Sequence, residues 1–201
     1  MTSNVWTPNS AAEFLDSLVG ISADPSDPRR DEFATLIAED ETPERVEAML
    51  TESTCALAVK GYFRHFIPRQ NWPEWLRAPY VNTQAPADVQ RIARLAGAVM
   101  PAGYIPTLGD VVHLAAGQGG PEHLYMVRDT DPNPYGGTDV DSVDGGQKLG
   151  TFQAIKARQR IIVPKGTQAD DQELAESGGS YSAIRPVWMV YNVARIMEVF
   201  A

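Results

Sequence analysis

Cysteine is almost missing from this sequence: Cys55 is the only one in 201 residues. A single thiol excludes an intramolecular disulfide and a cysteine-rich zinc site. Histidine is scarce as well, at three residues: His65, His113 and His123. No apolar run reaches the ~18 residues that a membrane-spanning helix needs, so membrane insertion is not expected. The opening "MTSNVWTPNSAAEF" lacks the basic start and apolar stretch of a secretory signal. The expected location is the cytoplasm, or outside the cell by an export route that needs no such signal. Basic residues are outnumbered, 17 against 26 acidic, for a net charge of −9. Nucleic acid selects a basic stripe, so no nucleic-acid partner is expected. "RIARLAG" and "KARQRIIVPK" interleave their charges with apolar residues and read as solvated faces.

What is present suits a folded domain. Apolar residues make up 43% and charged residues 21%, enough for a sizeable core. "AAEFLDSLVG", "DEFATLIAED", "TPERVEAML", "TCALAVKGYFRHF" and "ADVQRIARLAGAVM" carry apolar residues at helical spacing. Thr42 with Pro43, and Ser53 or Thr54, are candidate helix starts. After residue 100 the period changes. "GDVVHLAA", "EHLYMVRD", "TDVDSVDGG", "FQAIKARQRIIV" and "RPVWMVYNVARIMEVF" read as strands, the last as a strand alone or a strand with a helical tail. Residues 164–181 are polar and read as a surface loop. Helices followed by strands predict an α+β fold, with the helical layer on one side of an antiparallel sheet of about five strands.

Three residues can carry chemistry. Cys55 falls in the first turn of a predicted helix, where unpaired N–H groups and the positive end of the dipole favour a thiolate; the alternative is a core cysteine. His123 opens the strand "EHLYMV", with Tyr125 and Val127 on its own face and Leu124 and Met126 on the other. His113, one strand earlier, is the rival base, whereas His65 lies about three turns along the Cys55 helix, out of reach. Asp144, in "SVDGGQ", can orient an imidazole from the following strand, with Gln147 and Asp141 as rivals. Asp144-Gly145-Gly146 also reads as a hairpin turn. "DTDPNPYGGTDVD" has alternating acids but Pro134 where a calcium loop needs glycine, so it reads as an exposed turn. Trp72 and Trp75, with Tyr80, can line a groove or pack in the core; Trp188 and Tyr191 read as core. No metal or cofactor is expected, and "GQGG" lacks the lysine of a phosphate loop.

The order of these signals resembles the NlpC and CHAP (cysteine, histidine-dependent amidohydrolase/peptidase) cell-wall peptidases. The match is carried by a cysteine opening a helix, Gly109-Asp110 entering a strand, His123 on the next strand and Asp144 on the one after. It covers roughly residues 50–163. The resemblance implies a papain-like fold with residues 51–201 as the catalytic part; residues 1–50 match nothing in it and, from their helical spacing, read as a helical extension of one compact unit. It implies a cysteine peptidase or amidase with Cys55 as nucleophile, His123 as base and Asp144 as orienting group. The implied substrate is an amide in peptidoglycan peptides. The alternatives are a binding or assembly module without catalysis, and an acyltransferase or deamidase of another substrate.

Overall fold

The computed structural model describes residues 5–39, 41–52, 54–77, 84–101, 103–116, 122–149, 152–174 and 181–201. The helices come first. In α1 (Pro8–Leu18), Thr7 and Ser10 cap each other's backbone N–H groups. α2 (Arg30–Ala38) places Asp31 and Glu32 in its first turn, where the dipole favours acids. α3 (Pro43–Met49) starts after Thr42, as expected, although the Thr42 side chain makes no capping bond. α4 spans Cys55–Phe66, followed by the short α5 (Glu74–Arg77) and α6 (Ala85–Leu95). Ser53, a candidate cap, Tyr80 and the "GQGG" segment lie outside the described residues.

Among the described residues seven strands follow: β1 (Val99–Met100), β2 (Val111–Leu114), β3 (His123–Pro132), β4 (Thr138–Leu149), β5 (Phe152–Lys165), β6 (Gln168–Leu174) and β7 (Tyr181–Tyr191). The chain then turns into α7 (Val193–Phe200), capped by Asn192, so the last segment is a strand with a helical tail. All pairings between the strands are antiparallel, in the order β1-β7-β2-β3-β4-β5-β6. β6 also pairs with β7, from Asp170↔Pro186 to Leu174↔Tyr181. Strands β2 to β7 therefore close on themselves as a six-stranded barrel, and β1 is an extra strand on β7.

This corrects the expected fold. Helices lying on an open papain-like sheet of five strands are replaced by helices lying against the outside of a closed barrel. The difference comes from β6, in a stretch that reads as a polar loop. Its inward positions are Ala169 and Asp171, both buried, so no apolar alternation marks it as a strand. Asp171 is accepted inside because Tyr125 and Arg160 bond to it, at 2.6 and 2.8 Å.

The core has two parts. Val112, Leu114, Tyr125, Val127, Val140 and Ile162 fill the barrel. Leu124, Met126, Val143 and Tyr191 point outward into a second core that also holds Leu57, Val59 and Phe63 of α4. The alternation expected along β3 is thus borne out. Leu15, Phe33 and Ile37 belong to the same outer core, so α1 and α2 share it with α4. Two further expectations change. Asp144-Gly145-Gly146 is no hairpin turn, because β4 runs through it with a bulge between Asp144 and Gln147, eased by Gly146 at φ 71°. Trp188 is 48% exposed instead of buried. Pairing of His113 with Met189 and of Leu114 with Val187 leaves it as an extra residue on β7, and the bulge turns it outward. Within the acidic "DTDPNPYGG" stretch, residues 129–132 belong to β3 and residues 133–137 make the β3–β4 turn, with Tyr135 97% exposed.

Candidate active site

Cys55 is the first residue of α4, and the helix begins where it packs against β3 and β4. The contact is close because Gly145 has no side chain. A Cβ there would lie 2.5 Å from the Ala58 Cβ and 3.1 Å from the Thr54 carbonyl. Glycine in the bulge thus lets the first turn of α4 rest on the strand. Thr54 holds the N-cap position, but its side chain makes no capping bond, and its buried hydroxyl has no partner among the described residues. The first N–H groups of α4 are therefore not taken by the Thr54 side chain.

His123, at the entry of β3, joins the two neighbouring elements. Its Nε2 lies 2.7 Å from Asp144 Oδ2, and its ring is hydrogen-bonded to the Cys55 side chain. With Nε2 engaged by Asp144, the nitrogen left for the sulfur is Nδ1. Burial by itself would push the imidazole down. The hydrogen bonds to Asp144 and Cys55, and the charges on both, outweigh it and push His123 up to about 9.

Asp144 is fully buried and fully bonded. Its Oδ1 accepts from the Ser142 hydroxyl at 2.6 Å, and its Oδ2 accepts from Arg160 Nη2 at 2.5 Å as well as from His123. Burial opposes its charge, yet the Arg160 guanidinium first, then His123 and Ser142, hold the carboxyl well below the usual range. Arg160 is buried inside the barrel, where Nη1 meets Asp171 at 2.8 Å, Nε meets Ser142 at 3.0 Å, and the guanidinium stacks over the Tyr125 ring.

Cys55, His123 and Asp144 thus stand together. The rivals stand elsewhere. His113 is bonded through Nδ1 to the Tyr191 hydroxyl at 2.5 Å and through Nε2 to Glu122. Asp141 accepts from Arg128 at 2.9 Å and Gln147 from Arg158 at 3.3 Å. His65 stacks on Phe14 near the far end of α4, at 3.7 Å between ring centres. Gly109-Asp110 serves as a corner: Tyr62 donates to the Gly109 carbonyl, and Asp110 accepts from the N–H groups of Thr107 and Val193. Trp72 is core, its indole donating to the Ile67 carbonyl. A cleft of about 740 Å³ lies between α1, α2 and the second half of α4, lined by Phe14, Thr35, Gly61 and His65, and no residue of the Cys55 cluster borders it.

Arg160, Ser142 and Asp171 are the supporting residues that sequence reasoning missed. "KARQRIIVPK" reads as solvated, which is wrong for Arg160, at 2% exposure. The signal was available in the period: Arg160 shares parity with the buried Ile162 on β5. Gly145 is legible as a glycine but not as a contact. Comparison with protein-family models, curated proteins and solved structures returns no match to the chain.

Proposed function

We propose that this protein is a thiol hydrolase that opens an amide bond with Cys55 as nucleophile. The observation that carries the reading is His123 bonded at once to the Cys55 side chain and to a buried, charge-compensated Asp144. Nucleophile, base and orienting group, each within reach of the next, form the arrangement that thiol catalysis needs.

The chemistry follows from the geometry. His123 takes the thiol proton, and Asp144 fixes the ring so that Nδ1 faces the sulfur. The thiolate attacks the amide carbonyl and forms a tetrahedral oxyanion. The first N–H groups of α4, not bonded by the Thr54 side chain, stabilise that charge, with the helix dipole adding to the effect. His123 then gives its proton to the leaving amine, which departs and leaves a thioester. Water, deprotonated by His123, releases the acid and restores the thiol. Resemblance to the NlpC and CHAP peptidases gives the substrate class, a peptide amide of peptidoglycan.

The test is incubation with stem-peptide fragments of peptidoglycan, reading new termini by mass spectrometry, for the native protein and for Cys55→Ala. Cleavage by the native protein alone supports the reading. A thiol inert to alkylation below pH 7, with no fragment cleaved, rejects it.

A further inference from the structure

Beside the Cys55 cluster stands a second group that the hydrolytic steps do not use. His113 is buried on β2, bonded to the Tyr191 hydroxyl on one side and to the Glu122 carboxylate on the other. The Trp188 ring lies 5.0 Å from the imidazole, tilted by 57°. Both outer members face water: the Glu122 side chain is 38% exposed and Trp188 is 48% exposed. An indole turned out of a barrel strand by a bulge costs burial that the fold could otherwise use.

The location ties this group to the thiol. Glu122 and His123 are consecutive, so they leave the chain in opposite directions. Glu122 bonds to His113, which pairs with Leu124 across β2 and β3. Leu124 and Tyr191 belong to the core shared with the helices, the side on which α4 carries Cys55. His113 is close enough to His123 to feel its charge. Burial holds His113 below its usual range, against the opposing pull of Glu122. A neutral ring donates from Nε2 to Glu122 and accepts the Tyr191 hydroxyl at Nδ1, so it orients the carboxylate without cancelling its charge. Among the described residues, Glu122 has no other ion-pair partner.

We propose that Glu122 and Trp188 form a subsite for a positively charged group, a primary ammonium, on the substrate that Cys55 attacks. A half-exposed carboxylate and a half-exposed indole, both set against one imidazole, are the chemistry that selects an ammonium: charge pairing from the first and cation–π attraction from the second. The His113–Tyr191 pair keeps the carboxylate in place. This inference rests on the thiol-hydrolase reading for the identity of its ligand, but not for the existence of the site.

Charge-selective thiol reagents test it. Methanethiosulfonates transfer a group to the thiolate, forming a disulfide and releasing methanesulfinate. The trimethylammonioethyl, sulfonatoethyl and methyl reagents are compared on Cys55 at pH 7 in the native protein, Glu122→Gln and Trp188→Leu, each rate divided by that of the neutral methyl reagent. The cation-to-anion ratio should fall by about tenfold in Glu122→Gln, the effect of one charge on two reagents of opposite sign at short range in partly screened surroundings. It should fall less in Trp188→Leu. An unchanged ratio in Glu122→Gln overturns the proposal. The second measurement does not need the thiol: the Trp188 indole N–H resonance is followed in Cys55→Ala during titration with N-acetyl-lysinamide and with N-acetyl-norleucinamide. A saturable shift with the first only, lost in Glu122→Gln, supports the subsite even if Cys55 proves inert and the hydrolase reading fails. No such shift overturns it.

Discussion

Gly145→Ala is the sharpest perturbation, because one methyl group separates position from chemistry. The added carbon would sit 2.5 Å from the Ala58 Cβ, 3.1 Å from the Thr54 carbonyl oxygen and 3.4 Å from the Cys55 Cα. Carbon atoms in contact rest at about 3.5–4.0 Å, so the first turn of α4 must retreat by roughly 1–1.5 Å. Gly145 has no positive φ, so the effect is one of space and not of backbone strain. Overpacking of this kind costs about 1–3 kcal/mol, which leaves the domain folded. The thiol moves with the turn and loses its bond to His123. At pH 6.5 a thiol of ordinary pKa, about 8.5, is only about 1% thiolate, a hundredfold less than a fully paired one. The more basic thiolate is the better nucleophile, which restores up to about tenfold. Alkylation by iodoacetamide at pH 6.5 should therefore slow by about tenfold, while at pH 9.5, where both thiols are ionised, the variant's more basic thiolate should react at least as fast as the native one. An equal rate at pH 6.5 refutes the reasoning. Slowing by the same factor at both pH values would mean blocked access, not a lost pair.

Other consequences follow from the same contacts. His123→Ala should slow Cys55 alkylation below pH 7 but not near pH 9.5; a pH profile identical to that of the native protein would remove His123 as the base. Asp144→Asn should lower the titration of His123 from about 9, because it removes the charge that supports the imidazolium; ring-proton NMR reads the midpoint, and an unmoved midpoint contradicts the pair. Arg160→Met leaves Asp144 and Asp171 buried without their cation and should cost about 3–5 kcal/mol in urea unfolding, whereas a loss under about 1 kcal/mol would show that the barrel interior solvates them by other means. The raised value of His123 also fixes a pH dependence. A group higher in the folded state than at its ordinary 6.5 contributes stability that is fully present below pH 6.5 and is lost as pH rises through about 9. The stability gap between native protein and His123→Gln, followed by urea unfolding, should therefore narrow across that window.

Where side chains alternate or cap in the ordinary way, the sequence was legible. α1, α2, α3, α4 and α6 lie where apolar spacing and Pro43 place them, and Leu124 and Met126 face opposite to Tyr125 and Val127 as the strand period requires. The candidate site was legible for a related reason. A cysteine at a helix start and a histidine at a strand start are positional signals, and both survive folding unchanged. What was not legible depended on partners far along the chain. Trp188 reads as core until a register mismatch with β2 turns it out. Asp144-Gly145-Gly146 has the composition of a turn, but the strand continues because β5 pairs with β4 on both sides of the bulge. Arg160 reads as solvated because an arginine inside a barrel is acceptable only with its acids, and those lie on β4 and β6.

β6 is the clearest of these cases, since closure of the barrel and support of the site are one feature. Closing the sheet puts Asp171 inside, where burial pushes its carboxyl up despite the opposing pull of Arg160 and Tyr125. Arg160 answers that charge with Nη1 and turns Nη2 to Asp144. One guanidinium therefore spans from the closing strand to the residue that orients His123. An open sheet lacking β6 would leave Arg160 with Asp144 as its one carboxylate and with an open path to water. It would then withdraw the fixed cation that keeps Asp144 an acceptor for the imidazole. The polar composition that hides β6 from sequence reading is thus the condition for its role, since an apolar strand at the same place would close the barrel and leave Arg160 without its second carboxylate.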